Sequence, residues 1–439
     1  MKMLTTRVLP LLTAVVVIFF TQMDLFAQGI FFRGIGAVNE SMGGASIAAP
    51  IDAAGAIYAN PAAISGLKKN EIGFDLGVVF PSSSVTSELL DDWGYPWPSG
   101  PVTSQSDSGQ MLIPTMSVVY RKHPRSRWVF GCLMSQTGGT SSLYRATLDM
   151  PNGDIGNPIF LGKAWSTNSQ IYQISPTASF RVSERLSLGV SPVVSFGSFH
   201  MTPMLLGRTP DDALAENGSK FSWGGGINLG VFYKLNDAFN LGFTCKSPTW
   251  LNPMKYSGVP YDSDFYNMAG VQAEFHFNLP MVLGIGFSYT TPSERLLLAC
   301  DVKYYDYGNA KGFGTEVMDS DGRITGLGWK SILAVSLGMQ YKLSEQLYVR
   351  LGYSFNENPI PDESQFANIG TSLFGQHAVS VGASWISYGG LDFHVTYSHL
   401  IESSKTGDFA MNYAGWDYPG TVTNTVKSDS VSLGISKRF

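Results

Sequence analysis

Asp392, His394, Thr396 and Ser398 are the residues most suggestive of chemistry in this chain, with acid, base and nucleophile types at every second position. That spacing is a strand period. It sets successive members ~7 Å apart and alternate ones ~13 Å apart, too far for one line of side chains to act as a hydrolase triad. They read as polar lining, and no catalytic residue is assigned. Gly34-x-Gly36 follows no strand and lacks the later glycine of a dinucleotide loop. Asp319-Ser320-Asp321-Gly322 opens like a calcium loop without its remaining ligands, and reads as a polar turn. Cys132, Cys245 and Cys300 have neither metal spacing nor a disulfide framework, and the histidines are scattered. No metal and no cofactor are expected. What remains is charge on a face that carries little of it. If Leu347, Val349, Leu351, Tyr353 and Phe355 point one way, Arg350 points the other. The same parity turns Asp301 and Lys303 inward, and Lys246 beside Asn240, Gly242 and Thr244. Arg350, Lys246 and Lys303 could each bind a carboxylate by charge-assisted hydrogen bonds. For Asp301 and Arg350 the preferred reading is an ion pair that holds strand or plug in register, while Lys246 stays open between the two roles.

Such parity needs long alternating strands, and the chain supplies them. Ile72, Phe74, Leu76, Val78 and Phe80 alternate with Gly73, Asp75, Gly77 and Val79; the stretches 186–196 and 391–398 repeat the pattern. One apolar face against one small or polar face is the pattern of a lipid-facing barrel strand over a polar lumen. Strands are expected over about 70–84, 110–121, 126–136, 169–182, 185–200, 220–234, 238–247, 269–291, 294–307, 329–343, 346–357, 374–387, 389–402 and 428–439. The gaps between them alternate long and short, as extracellular loops and periplasmic turns do. Splitting 269–291 at Leu279-Pro280 would break that alternation, so it is read as one strand bent at Pro280, which cannot donate to the ladder. The fold class is therefore all-β, a transmembrane antiparallel barrel of about fourteen strands over 70–439.

A barrel that wide is not filled by its own side chains. Residues 28–69, rich in Gly and Ala and low in charge, are expected to sit in the lumen as a plug, with Asn60-Pro61-Ala62 as a rigid turn. Residues 1–27 read as a cleaved signal peptide: Lys2 and Arg7, an apolar run over Leu9 to Phe20, then Leu25-Phe26-Ala27 before Gln28. Charged residues are only 14% against the usual ~25%, and aromatics reach 13%. The net charge of −5 argues against nucleic acid as a partner. In the loop 85–109, Trp93, Tyr95 and Trp97 are the most distinctive features of the outer side.

Several segments, in order, resemble the FadL/TodX family of outer-membrane transporters for long-chain fatty acids and aromatic hydrocarbons. Ser41-Met42-Gly43-Gly44-Ala45, Asp52-Ala53 and Tyr58-Ala59-Asn60-Pro61-Ala62 are similar to the family's N-terminal hatch. Lys246-Ser247-Pro248, Leu279-Pro280 with Leu283 to Tyr289, Asp301 with Tyr304-Tyr305, and Arg350 to Ser354 with Pro359 to Asp362 resemble later family segments. Tyr307 stands where an aromatic Trp is usual, and the loops match poorly. The resemblance implies passive capture of an amphipathic molecule at the outer face and sideways release into outer-membrane lipid. Release would pass through a gap at a kink in the third strand, here the stretch from Trp128 through Gln136 that ends at Gly138-Gly139. The alternating C-terminus closing on Phe439 resembles the signal read by the barrel-assembly machinery. The implied location is the bacterial outer membrane, with a monomeric barrel and hydrophobic small molecules as partners. The alternative is a PorV-like shuttle of a protein secretion system, a related group that also has a Gly-rich N-terminus with Asn-Pro-Ala.

Overall fold

In the computed structural model the alternating stretches become fourteen antiparallel strands, each bonded to the next, with the last returning to the first. The described residues are 28–90, 100–144, 165–202, 204–205, 213–214, 219–258, 271–317, 325–413 and 416–439. The expected signal peptide 1–27, the loop residues Trp93, Tyr95 and Trp97, and Asp319 to Gly322 lie outside them. The strands are β1 (Glu71–Leu89), β2 (Met111–Tyr120), β3 (Trp128–Tyr144), β4 (Trp165–Arg181), β5 (Leu186–Thr202), β6 (Lys220–Lys234) and β7 (Phe239–Lys246). They continue with β8 (Val282–Thr290), β9 (Leu296–Tyr305), β10 (Ile332–Lys342), β11 (Leu347–Asn356), β12 (His377–Ile386), β13 (Leu391–Tyr413) and β14 (Trp416–Arg438). The ring closes where Glu71 faces Arg438 and Leu76 faces Leu433. Ring closure pairs the first strand with the last, the condition for strands to cross a bilayer.

Parity holds as expected. Ile72, Phe74 and Leu76 point outward at 52%, 47% and 39% exposure, while Asp75 between them is buried. Aromatic side chains gather at the short-turn end of the wall: Trp128 lies 4.8 Å from Phe180, Phe239 4.7 Å from Tyr289, and Trp385 5.8 Å from Phe393. A girdle of this kind marks a membrane–water interface.

Several expected strands differ. Residues 269–291 do not form one bent strand. Val271–Phe275 instead pairs with Met254–Gly258 in a separate ribbon, and β8 begins only after Pro280. Leu279 is held by backbone bonds to Thr249, and Pro280 contributes no N–H to a ladder. The count stays at fourteen because the first half never joins the wall. At the other end of the chain, β13 and β14 run on beyond residues 402 and 428 as one long hairpin, from Ser403↔Val426 to Tyr413↔Trp416. The small and β-branched residues there, Thr406, Thr421 and Thr423 among them, suit strands as well as loops.

Residues 28–69 pack against the inner face of this wall. They carry α1 (Ala37–Ser41), α2 (Ala53–Ala59) and a 3-10 turn (Pro61–Gly66). Asp52 caps α2 by accepting from Gly55 N at 3.1 Å. Ile35, Ala53, Ile57, Ala62 and Ile64 bury against Val119, Val129, Leu133 and Phe232 of the wall. At about 25 cal/mol per Å² of apolar surface, small residues gain little singly; their use is close backbone approach.

Candidate functional site

Short helices leave their first N–H groups unpaired, and the wall supplies the acceptors. Ala37 N donates to Asp75 Oδ1 at 3.0 Å, and Ala53 N to Glu71 Oε1 at 2.8 Å. Ser46 N and Ile47 N both donate to Asp301 Oδ2, at 2.8 and 3.0 Å. In the reverse sense Glu40 accepts from Ser430 at 2.5 Å and from Ser432. Glu71 and Asp75 were not singled out from the sequence. The signal was there in Asp75, a carboxylate on the small inward face of a low-charge strand. Asn60 joins the segment to itself and to the wall. Its Nδ2 donates to Ile47 O and Val231 O, each at 2.9 Å, and its Oδ1 accepts from Ala62 N at 3.1 Å. Gly230 lies directly beneath, where a Cβ would overlap Asn60 Oδ1. Pro61 and Ala62 are buried beside it. Gly43 and Gly44 both take positive φ, +64° and +82°, and Gly43 passes over the Tyr353 backbone.

The expected ion pair of Asp301 with Arg350 does not form. Asp301 faces Ser336, which faces Ser354, so Arg350 lies two strands across and four residues along. Asp301 holds the N-terminal segment instead. Arg350 donates to Gln340 Oε1 at 2.8 Å and Ser384 Oγ at 2.7 Å, and Lys303 Nζ to Gly44 O at 3.1 Å. Both cations face inward, as parity requires, but both are engaged by the protein. Lys246 differs. It is buried, with Nζ 4.4 Å from the Tyr58 ring centre and 6.0 Å from that of Phe31, and has no hydrogen-bond acceptor among the described residues. Phe31, Tyr58, Thr244, Lys303 and Tyr305 line the small cavity around it. The line from Asp392 to Ser398 is lining, as read: Asp392 meets Arg438 at 2.9 Å, His394 bridges Ser384 and Ser436, and Thr396 donates to Ala37 O at 2.5 Å.

The third strand does not end at Gly138-Gly139. It continues to Tyr144 along β4, with a register shift between Gln136 and Gly138, and Gly139 has φ +149°. What ends is its pairing with β2, at Thr115 opposite Ser135. Beyond that point Ile30–Phe32 takes the place of β2: Phe32 N donates to Thr137 O at 3.0 Å and Gly139 N to Ile30 O at 3.1 Å. Farther along, Ser106, ahead of β2 in the chain, forms an isolated bridge with Tyr144 at the end of β3. Between the edges, Met111 and Ile113 on one side and Thr140 to Ser142 on the other border a cavity of about 190 Å³ that reaches Glu40 and Gly43. A second, mostly apolar cavity adjoins it through Ile30 and Leu373, lined by Phe196, Phe199, Phe277 and Trp329 among others.

Residues 26–439 match the family model described as outer membrane protein transport protein (OMPP1/FadL/TodX). The fold is similar to that of a Pseudomonas aeruginosa FadL homologue, at 16% identity and TM-score 0.73, over 94% of this chain and 100% of that one. It is also similar to the P. putida toluene transporter TodX, at 20% identity and TM-score 0.66, over 93% of this chain and 99% of that one. The Ralstonia pickettii toluene transporter TbuX gives 15% identity and TM-score 0.63, with the same shares covered. No protein of curated function matches the sequence.

Proposed function

The chain belongs to the OMPP1/FadL/TodX family of outer membrane transport proteins, and we propose that it carries long-chain fatty acids through its lumen and releases them sideways. It is a bacterial outer-membrane barrel for hydrophobic compounds, a transport channel and not an enzyme. A water-filled pore offers an apolar molecule nothing, whereas a dry pocket followed by a sideways exit keeps it away from water.

The observation that carries the lateral route is the parting of β2 from β3 after Thr115 and Ser135, with a cavity behind it. Ligand would enter the apolar cavity near Phe199 and Trp329, pass Ile30, and leave between Ile113 and Thr140. Residues 28–69 act as the hatch that closes the axial path. Gly138 and Gly139 serve the bend through which β3 turns its free edge to Ile30–Phe32. Of the three cations, Lys246 is the one available to a carboxylate, because Arg350 and Lys303 already hold protein acceptors. The toluene named for TodX and TbuX makes aromatic hydrocarbons the second substrate class. Nothing in these likenesses supports the secretion-shuttle alternative.

Uptake of a labelled long-chain fatty acid and of labelled toluene by cells lacking their own transporter tests the reading. Saturable fatty-acid uptake is expected, reduced roughly 10-fold in Lys246→Met, the worth of one charge-assisted bond, with any toluene uptake unchanged. Equal loss of both would overturn the assignment of Lys246. Uptake of toluene alone would move the substrate to the hydrocarbon class.

A further inference from the structure

Gln28 is the first described residue, and it is buried rather than trailing from the barrel. Its exposure is 2%, and both side-chain amide atoms, Nε2 and Oε1, lack hydrogen-bond partners. The backbone around it is tied down. Tyr307 Oη donates to Gln28 O at 2.8 Å and accepts from Ile30 N at 3.0 Å. Gly29 next to it has φ +68°, and any Cβ there would meet the rings of Tyr307 and Trp329. Leader removal after Ala27, the expected cleavage point, would make Gln28 the amino terminus. It would then add an α-ammonium group to this aromatic setting.

Among the described residues no carboxylate is bonded to Gln28. The carboxylates bordering the cavity are Glu40 and Asp75, engaged by Ser430 and Ser432 and by Ala37 N. Arg33 and Lys427 border it as well, so a further cation meets like charge. A buried unpaired charge is far costlier than a buried neutral amide, and two orphaned amide atoms add to that cost.

We infer that Gln28 is a modification site, its side chain closing on its own α-amine to leave a neutral pyrrolidone ring as the mature amino terminus. The α-nitrogen attacks Cδ; the N–Cδ bond forms, the Cδ–Nε2 bond breaks, and ammonia leaves carrying a proton from the amine. No oxidant, reductant or co-reactant enters. The ring has one N–H and one C=O in place of an ammonium, an NH₂ and a C=O, so less polarity has to be satisfied. The inference rests on cleavage between Ala27 and Gln28 and is independent of what is transported. Its consequence is mechanical. A neutral terminus lets Ile30–Phe32 stay seated on the free edge of β3.

The test is mass spectrometry of the protein taken from outer membranes, denatured and reductively dimethylated at once, before digestion, so that later cyclisation is not counted. The expected amino-terminal peptide begins at residue 28, is unlabelled, and is lighter by one ammonia than the free glutaminyl peptide. A dimethylated Gln28 amine, or a terminus at any other residue, overturns the inference. Gln28→Ala, which is cleaved but has no amide to cyclise, is expected to speed hydrogen exchange at Ile30, Phe32 and Gly139. Unchanged exchange there would overturn the mechanical role.

Discussion

Asn60 concentrates more of the segment's anchoring in one side chain than any residue around it. Its amide joins Ile47, Val231 and Ala62, so Asn60→Ala leaves two carbonyls and one N–H without their partner. The expected loss is about 2–3 kcal/mol, read as faster hydrogen exchange over residues 45–66. Asn60→Asp keeps the acceptor for Ala62 N but sets a buried carboxylate oxygen against the Ile47 and Val231 carbonyls, so it should cost at least as much as alanine. Glu40 allows a test by pH. It sits on α1 and not on a spanning strand, and burial pushes its carboxyl above its ordinary value, against the lowering effect of bonds from Ser430 and Ser432. A raised folded pKa means the folded form holds the proton more tightly. The contribution therefore favours the fold below the unfolded carboxylate pKa and is lost as pH rises through the folded value. Glu40→Gln, which cannot ionise, should flatten that dependence and stabilise the protein at neutral pH by about 1 kcal/mol. An unfolding profile that still slopes as in the wild type would exclude Glu40 as its source.

Between elements, the fit of segment to wall depends on places where no side chain is tolerated. Gly43 and Gly109 share a positive φ, +64° and +72°, but a Cβ at Gly43 would stand 2.7 Å from Tyr353 O while one at Gly109 meets nothing. Alanine at Gly109 then measures backbone strain alone, about 1 kcal/mol. Alanine at Gly43 adds the collision with β11, and should cost at least twice as much in the unfolding free energy. Equal costs would mean that α1 and β11 shift apart freely. The exposed pair of Lys68 with Glu294 at 2.8 Å, between the segment's end and the short turn from β8 to β9, carries little by comparison.

For the molecule as a whole, the hatch reading makes a conductance prediction. A fourteen-strand barrel without residues 28–69 should pass ions freely, whereas the full chain should not. Single-channel recording of both in planar bilayers decides this, and equal conductance would remove the hatch from the mechanism. Phe439 belongs to the same scale. Its N–H bonds Asn70 O at 3.1 Å and its ring is 59% exposed at the short-turn end, so nothing in the folded wall depends on that ring. Phe439→Ala is expected to lower the yield of folded barrel while leaving the unfolding midpoint of the folded fraction unchanged.

The wall was legible in the sequence because its information is local. Period-2 alternation, turn spacing and low charge depend only on near neighbours, and they reveal the strand number and the inward side of Arg350, Lys246, Lys303 and Asp301. The Gly/Ala composition of 28–69 likewise announced close packing. Partnership across the lumen is another matter. Asp301 meets Ser46 and Ile47, not Arg350, because the stagger of strands around a closed barrel decides which inward residues share a level, and stagger is a property of the whole ring. The parting of β2 from β3 was hidden for a related reason. Gln136 to Tyr144 is small and polar with no period-2 alternation, and only the closed structure shows that it continues the strand, with Ile30–Phe32 as its neighbour on that side.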